Sequence, residues 1–304
     1  GTAKETLQLN DNTFWAGHPH DYSVPGSSDV LPEIRRLLFA GKESDATSLA
    51  DRRFMGSPKF QAAYQTLGEL TLELEGVSQP RDYVRSLDVT SGLQTTSFSS
   101  GDVMLTREAI ASASDGVIAV RLKASKKGAL TGHALLSGPF QTGAAAFSHD
   151  TLLAQGQWKD DGRRKDWTAS WDKPGIKYSA GLSIRTTGGK SEIQGKSLHF
   201  TGATEVLFIL RTGTSFRHYD DISGDPMAGL IEGLMRASAK GWNRLLRDHR
   251  RDLEKLTSRV ALDLPVTENS SLPTDERLVG VRNGSKDPAL AALYMQYGRY
   301  LLAS

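Results

Sequence analysis

The residues best suited to chemistry gather in one loop, one pair and one helix-like stretch. The segment Asn10-Asp11-Asn12-Thr13-Phe14-Trp15-Ala16-Gly17-His18-Pro19-His20-Asp21-Tyr22 concentrates Trp15, His18, His20 and Asp21. An indole beside amide, carboxylate and imidazole groups suits a sugar, whose C–H face stacks on the ring while its hydroxyls meet the polar groups. The same composition describes a loop tied down by its own Asn and Asp side chains, with Trp15 packed beneath it. Trp15 and His18 are the substrate-binding candidates, and both readings stand at this stage. His18 and His20 would hold a metal only with a third convergent ligand, which sequence spacing does not supply, so no metal site is expected.

Glycoside hydrolysis needs two carboxyl-type groups, an acid at the leaving oxygen and a base or nucleophile opposite it. Asp220-Asp221 is the most site-like pair. Neighbours in sequence rarely point at one atom, however, and turn chemistry accounts for these two as well. No Gly-x-Ser-x-Gly elbow and no phosphate-cradling glycine loop is present, so neither a serine nucleophile nor a cofactor is expected. Gln296 and Arg299 lie three apart, on one face of an otherwise apolar stretch. A buried Arg must find a carboxylate or carbonyl partner, so a structural ion pair with a missing helix and a site-lining role both stand here.

The elements that would position these groups follow from periodicity. Leu7-Gln8-Leu9 alternates as a first strand, and the Asn10–Tyr22 loop follows it. Two short helices are predicted, Leu31 to Phe39 with Pro32 in its first turn and Gly41 as its stop, and about Glu43 to Arg53. From Leu67 the period becomes two. Leu70, Leu72 and Leu74, then Ile118, Val120 and Leu122, then Ile176 to Ile184 alternate with polar or small residues, as half-buried antiparallel strands do. Val206-Leu207-Phe208-Ile209-Leu210 is a continuous apolar run, suited to a central strand covered on both faces. Strands at this density, broken by glycine-rich turns, indicate a mainly β fold, a large antiparallel sandwich over residues 1–222. A helical linker over 223–270 is expected next. It begins at Asp225-Pro226, bends at Gly241, and ends in a possible returning strand through Val260, Leu262 and Leu264. Its face of Arg244, Arg247, Arg250 and Arg251, interleaved with acids, reads as solvated and salt-bridged.

In the last stretch, residues 271–304, Asp287 and Pro288 open an apolar helix that carries Leu290, Leu293, Tyr294, Tyr297 and Leu301. A helix so apolar around its girth is expected to be covered on most sides, and with no further layer following it, the polypeptide is expected to be a shortened one. Over 304 residues the net charge is +2 with 24% charged residues, which makes no electrostatic case for nucleic acid or an anionic membrane. The absence of cysteine excludes disulfides and thiolate metal sites. No run approaches about 18 apolar residues, so no transmembrane helix is expected.

Leu9-Asn10-Asp11-Asn12-Thr13-Phe14-Trp15-Ala16-Gly17-His18-Pro19 resembles the opening signature of glycoside hydrolase family 95, the inverting α-L-fucosidases, which commonly read Leu-Asn-Glu-Asp-Thr-Leu-Trp-Ser-Gly-x-Pro there. Tyr64-Gln65-Thr66-Leu67-Gly68-Glu69-Leu70, Tyr83-Val84-Arg85-Ser86-Leu87-Asp88-Val89 and Thr106-Arg107-Glu108-Ala109-Ile110-Ala111-Ser112 are similar to further family motifs, in order. So are Leu272-Pro273-Thr274-Asp275-Glu276-Arg277-Leu278 and Gln296-Tyr297-Gly298-Arg299-Tyr300-Leu301-Leu302. The resemblance implies a β super-sandwich, a helical linker and the first helix of a catalytic (α/α)6 barrel. Gln296 and Arg299 would then face the barrel and await partners within it. The family's acid Glu and its Asn base lie beyond the last motif, and no position here matches them, so no catalytic residue is carried over. The implied substrate is a fucosylated glycan, with an α-L-galactoside or a free-standing carbohydrate-binding role as alternatives. The implied setting is secreted or periplasmic, in a bacterium.

Overall fold

A computed structural model describes residues 1–59, 61–160 and 173–304. Among the described residues, thirteen strands form two antiparallel sheets that face each other across one core. The smaller sheet has the order β1-β2-β7-β12-β11, made by Lys4–Leu9, Gly68–Leu74, Leu130–Ser137, Ser197–Ala203 and Lys190–Gln194. The larger runs β3-β4-β5-β6-β13-β10-β9-β8, made by Arg81–Asp88, Leu93–Ser100, Val103–Ser112, Val117–Ala124, Glu205–Thr214, Lys177–Thr187, Thr151–Gln157 and Gln141–Ala146. The strand period of two sends Leu70 and Leu72 from one sheet toward Phe208, Leu182 and Ile184 of the other, and all five are buried. The mainly β sandwich expected from the alternation is therefore observed.

Two helices interrupt the smaller sheet between its first two strands. These are α1, Leu31–Phe39, and α2, Glu43–Arg53, which bury Ile34, Leu37 and Ala46 against each other. A third, α3, Leu230–Thr257, lies on the outer face of the larger sheet. Its Leu234, Ala237, Trp242 and Leu245 cover Ile110, Ala119, Leu207 and Ile209. This explains why the apolar run in β13 is continuous: its two faces meet two different cores.

Covering by α3 also corrects the reading of β10 as half-buried. Tyr178 through Ile184 are all buried, because the small outward residues Ser179, Gly181 and Ser183 lie beneath the helix. A Cβ on Gly181 would stand 2.9 Å from Leu230 and 3.0 Å from Leu234, so the absence of a side chain sets the approach of helix to sheet. The helix begins at Leu230, later than Asp225-Pro226 suggested. Asp225 caps a turn by accepting from the Met227 amide at 2.9 Å, and Gly229 carries the chain into the helix with φ 66°. The bend at Gly241 is present, with φ 69° and ψ 169° inside the helix. Lys240, beside that bend, reaches Asp115 in the β5–β6 turn at 2.5 Å and Asp248 at 2.9 Å, tying both halves of the helix to the sheet.

The alternation of Val260, Leu262 and Leu264 does not make a strand. The segment is irregular, and Val260 and Leu262 are exposed. The Val260 carbonyl is claimed by Arg299 instead of by a sheet edge. Two helices complete the described chain, α4 at Thr274–Arg282 and α5 at Pro288–Ala303. No residue of α5 is buried, and Leu302 is 91% exposed, against the expectation of a helix covered on most sides. Among the described residues, its closest packing partner is the C-terminal end of α3.

Candidate functional site

The loop after β1 is anchored from both ends. Asp11 accepts from the Thr13 amide at 3.0 Å and its hydroxyl at 2.6 Å, and from Thr212 in β13 at 2.8 Å. Phe14 is wholly buried, edge-on to Phe140 and Tyr178. Short backbone pairing with the segment before β2 holds the middle of the loop, through Ala16 N to Ala63 O at 2.9 Å and Gln65 N to Phe14 O at 3.1 Å.

Within that frame Trp15 is half-buried. Its indole N–H donates to the Asn12 carbonyl at 2.9 Å, and its ring meets Tyr64 edge-on at 5.1 Å. Burial, and then the Asp11 charge, push the Tyr64 phenol above its ordinary pKa. His18 is also half-buried, with Nδ1 3.2 Å from the Pro19 carbonyl. His20 turns the other way, with Nε2 2.8 Å from the Ser57 carbonyl. Thus the two imidazoles do not converge, and no group of three metal-ligating side chains forms among the described residues. The Ser23 amide and hydroxyl hold the Asp21 carboxyl below its usual range. Much of the loop's polar chemistry is therefore spent on fixing the loop, while one face of the Trp15–Tyr64 pair still meets solvent.

Asp220 and Asp221 sit in an exposed turn. Asp220 pairs with His218 Nδ1, and Asp221 accepts from the Ser223 amide at 2.8 Å and lies 3.5 Å from Arg217. The Ser223 hydroxyl, then its amide, lower the Asp221 carboxyl. The two carboxylates flank the one His218 imidazole, with Asp221 3.7 Å from Nε2, and their hydrogen bonds serve the turn.

Gln296 and Arg299 do meet on α5, 3.3 Å apart. Arg299 then crosses to the end of α3, donating to the carbonyls of Leu256 at 3.0 Å, Thr257 at 3.0 Å and Val260. Last-turn carbonyls lack partners within their own helix and carry partial negative charge, so a guanidinium there acts as a cap supplied by another helix. Sequence reading missed the companion latch. Arg277 of α4 makes a two-pronged pair with Asp287, at 2.8 and 2.9 Å, and both side chains are buried. Asp287 also caps α5 by accepting from the Leu290 amide at 3.1 Å. Arg277's hydrogen bonds hold the Asp287 carboxyl below its usual range. Asp287 was legible as a cap, but nothing in the spacing pointed to Arg277.

A two-sheet sandwich with a covering helix and a latched helical extension defines the class. Residues 1–219 match the family model of the glycosyl hydrolase family 65 N-terminal domain, and the chain belongs with the glycoside hydrolases built on that sandwich. Residues 241–304 match the family model of the glycosyl hydrolase family 95 catalytic domain. Alpha-L-fucosidase 2 of Arabidopsis thaliana is 28% identical, over 100% of this chain and 38% of its own length. Probable alpha-fucosidase A of Aspergillus oryzae is 24% identical, over 99% of this chain and 42% of its own. The chain spans about two fifths of the length of the curated relatives it matches.

Proposed function

We propose that this chain forms the N-terminal sandwich and the adjoining helices of an inverting α-L-fucosidase that removes terminal α-1,2-linked L-fucose from glycans. In this reading the chain's own role is structural: it presents α4 and α5 to the remainder of a helical barrel, where the acid and base of the reaction reside. The observation that carries the reading is end-to-end similarity to proteins named as fucosidases, running from the β1 loop through α5. The latches support it. Arg299 and the Arg277–Asp287 pair fix α5 as a rigid platform with its apolar side outward. A secreted or periplasmic setting, where fucosylated glycans are met, belongs to the same proposal.

The test is hydrolysis of a fucosyl-α-1,2-galactoside by residues 1–304. No turnover above buffer is the expected outcome. Robust release of fucose by this chain would overturn the structural role and require acid and base groups within it.

A further inference from the structure

A groove of about 540 Å³ lies between the β8–β9 turn and α3. This is within the range of about 300–1,000 Å³ typical of small-ligand sites. Phe147, 52% exposed, stands on one side. Ile231, Leu234 and Met235 of α3 form the facing wall. Ser183 and Arg185, from the outer face of β10, make the floor. Ser183 is 4% exposed, and its hydroxyl has no hydrogen-bond partner. Arg185 spends one N–H on the Ser238 carbonyl at 2.6 Å. Asp150 on the rim accepts from Ser148 at 2.6 Å and Thr151 at 3.0 Å through one oxygen, while the other faces His149 at 3.9 Å.

We propose that this groove is a carbohydrate-binding site for a 6-deoxyhexose unit of the L-fucose type. A purely hydrocarbon occupant would leave the Ser183 hydroxyl without a partner and would take the free guanidinium N–H groups and the second Asp150 oxygen away from water. An anion would suit Arg185 but would meet the Asp150 carboxylate. A neutral pyranose answers both: its C–H face stacks on Phe147 and its ring hydroxyls meet Arg185, Asp150 and Ser183. The facing wall is aliphatic, so the sugar carbon that reaches it is best a methyl, as in a 6-deoxy sugar, rather than a hydroxymethyl. Met235, largely exposed and unbranched, can shift to let a hydroxyl approach Ser183. The choice of fucose rests on the fucosidase reading; the case for a sugar rests on the groove alone.

The experiment is saturation-transfer NMR and calorimetry of the 304-residue chain with methyl α-L-fucoside, and with methyl α-L-galactoside, which differs only in bearing the 6-hydroxyl. Fucoside should bind with a Kd of about 1 mM, as expected for so small a ligand, with the strongest saturation on its methyl protons. Phe147→Ala should weaken binding about tenfold, the scale of one aromatic contact. The galactoside should bind about tenfold more weakly, the scale of one misplaced hydroxyl. Phe147 is half exposed, so its loss leaves the fold intact, and Phe39→Ala on α1, removing a ring that is 90% exposed, serves as the surface control. Absence of saturable binding, or binding lost in Trp15→Ala and kept in Phe147→Ala, overturns the site. Galactoside binding as tight as fucoside, still dependent on Phe147, overturns the 6-deoxy assignment. Each of these outcomes is independent of the turnover assay, so failure here and failure of the fucosidase reading are separable.

Discussion

At the residue scale, His249 shows how burial becomes pH dependence. It lies on α3 beneath the turn joining β3 to β4, is buried, and its Nε2 has no hydrogen-bond partner. A Cβ on Gly92 would fall 2.7 Å from that nitrogen, so the turn seals the imidazole. Burial pushes its pKa below the ordinary value, while a hydrogen bond to the Ser91 backbone works against that. The folded state thus prefers neutral His249. Its contribution is fully present above the unfolded pKa of about 6.5 and is lost as pH falls below it, at no more than about 1.4 kcal/mol per pH unit. Asp88, in the same turn, titrates lower. Partial burial would raise it, but hydrogen bonds from Ser91 and Thr90 outweigh that and hold it down to about 2. Its stabilisation, about 1 kcal/mol after solvent screening, is present above the usual carboxylate pKa and disappears as pH falls toward 2. Urea denaturation from pH 8 to pH 3 should therefore show two acid limbs. His249→Gln should flatten the one near neutrality, and Asp88→Asn only the one below pH 4. A wild-type profile flat from pH 8 to pH 5 would contradict a sealed His249.

At the scale of elements, the sign of one substitution tests whether α3 rests on β10. Gly181 is a strand residue, and Val suits strands better than Gly by up to about 1 kcal/mol. Without a helix above it, Gly181→Val should stabilise. With Leu230 and Leu234 at about 3 Å from the new Cβ, overpacking at about 1–3 kcal/mol should win and the urea midpoint should fall. Gly143→Val in β8, where nothing lies within 4 Å, is the matched control and should be neutral or mildly stabilising. A rise in midpoint for both variants would detach α3 from this face. The same contact marks the limit of what pattern could reveal. The bounds of α1 and α2, set by Pro32, Gly41 and apolar spacing, were legible to the residue, as was the double-faced run in β13. The Ser-Gly-Ser series on β10 resembled a solvent face, because small residues that admit a helix and small residues that face water read alike. Arg299 and Gln296 were legible as a helix-face pair, but not the carbonyls at the end of α3 that Arg299 caps, since an acceptor on the backbone leaves no trace in residue type.

For the whole molecule, the sandwich and the terminal helices differ in how they hold together. The sandwich has one continuous core between its sheets and a second under α3, whereas α4 and α5 are held by polar latches and carry their apolar side chains outward. Leu278, Val279, Tyr294, Leu301 and Leu302 are each more than half exposed, a patch of the kind that promotes association. Because α5 buries no residue, removing it costs the sandwich little, while the patch loses its largest part. A chain ending at Asp287 keeps the carboxylate that neutralises Arg277, so the deletion leaves no stranded buried charge. This shortened chain should show less concentration-dependent association by sedimentation velocity, with a thermal midpoint within about 2 °C of the parent, the shift expected for well under 1 kcal/mol. If it instead aggregates or melts markedly lower, α5 contributes to the sandwich in solution, and the division between a hydrophobic core and a latched platform fails. If association falls while stability holds, the outward face of α4 and α5 is a surface for other helices, as the fucosidase proposal requires.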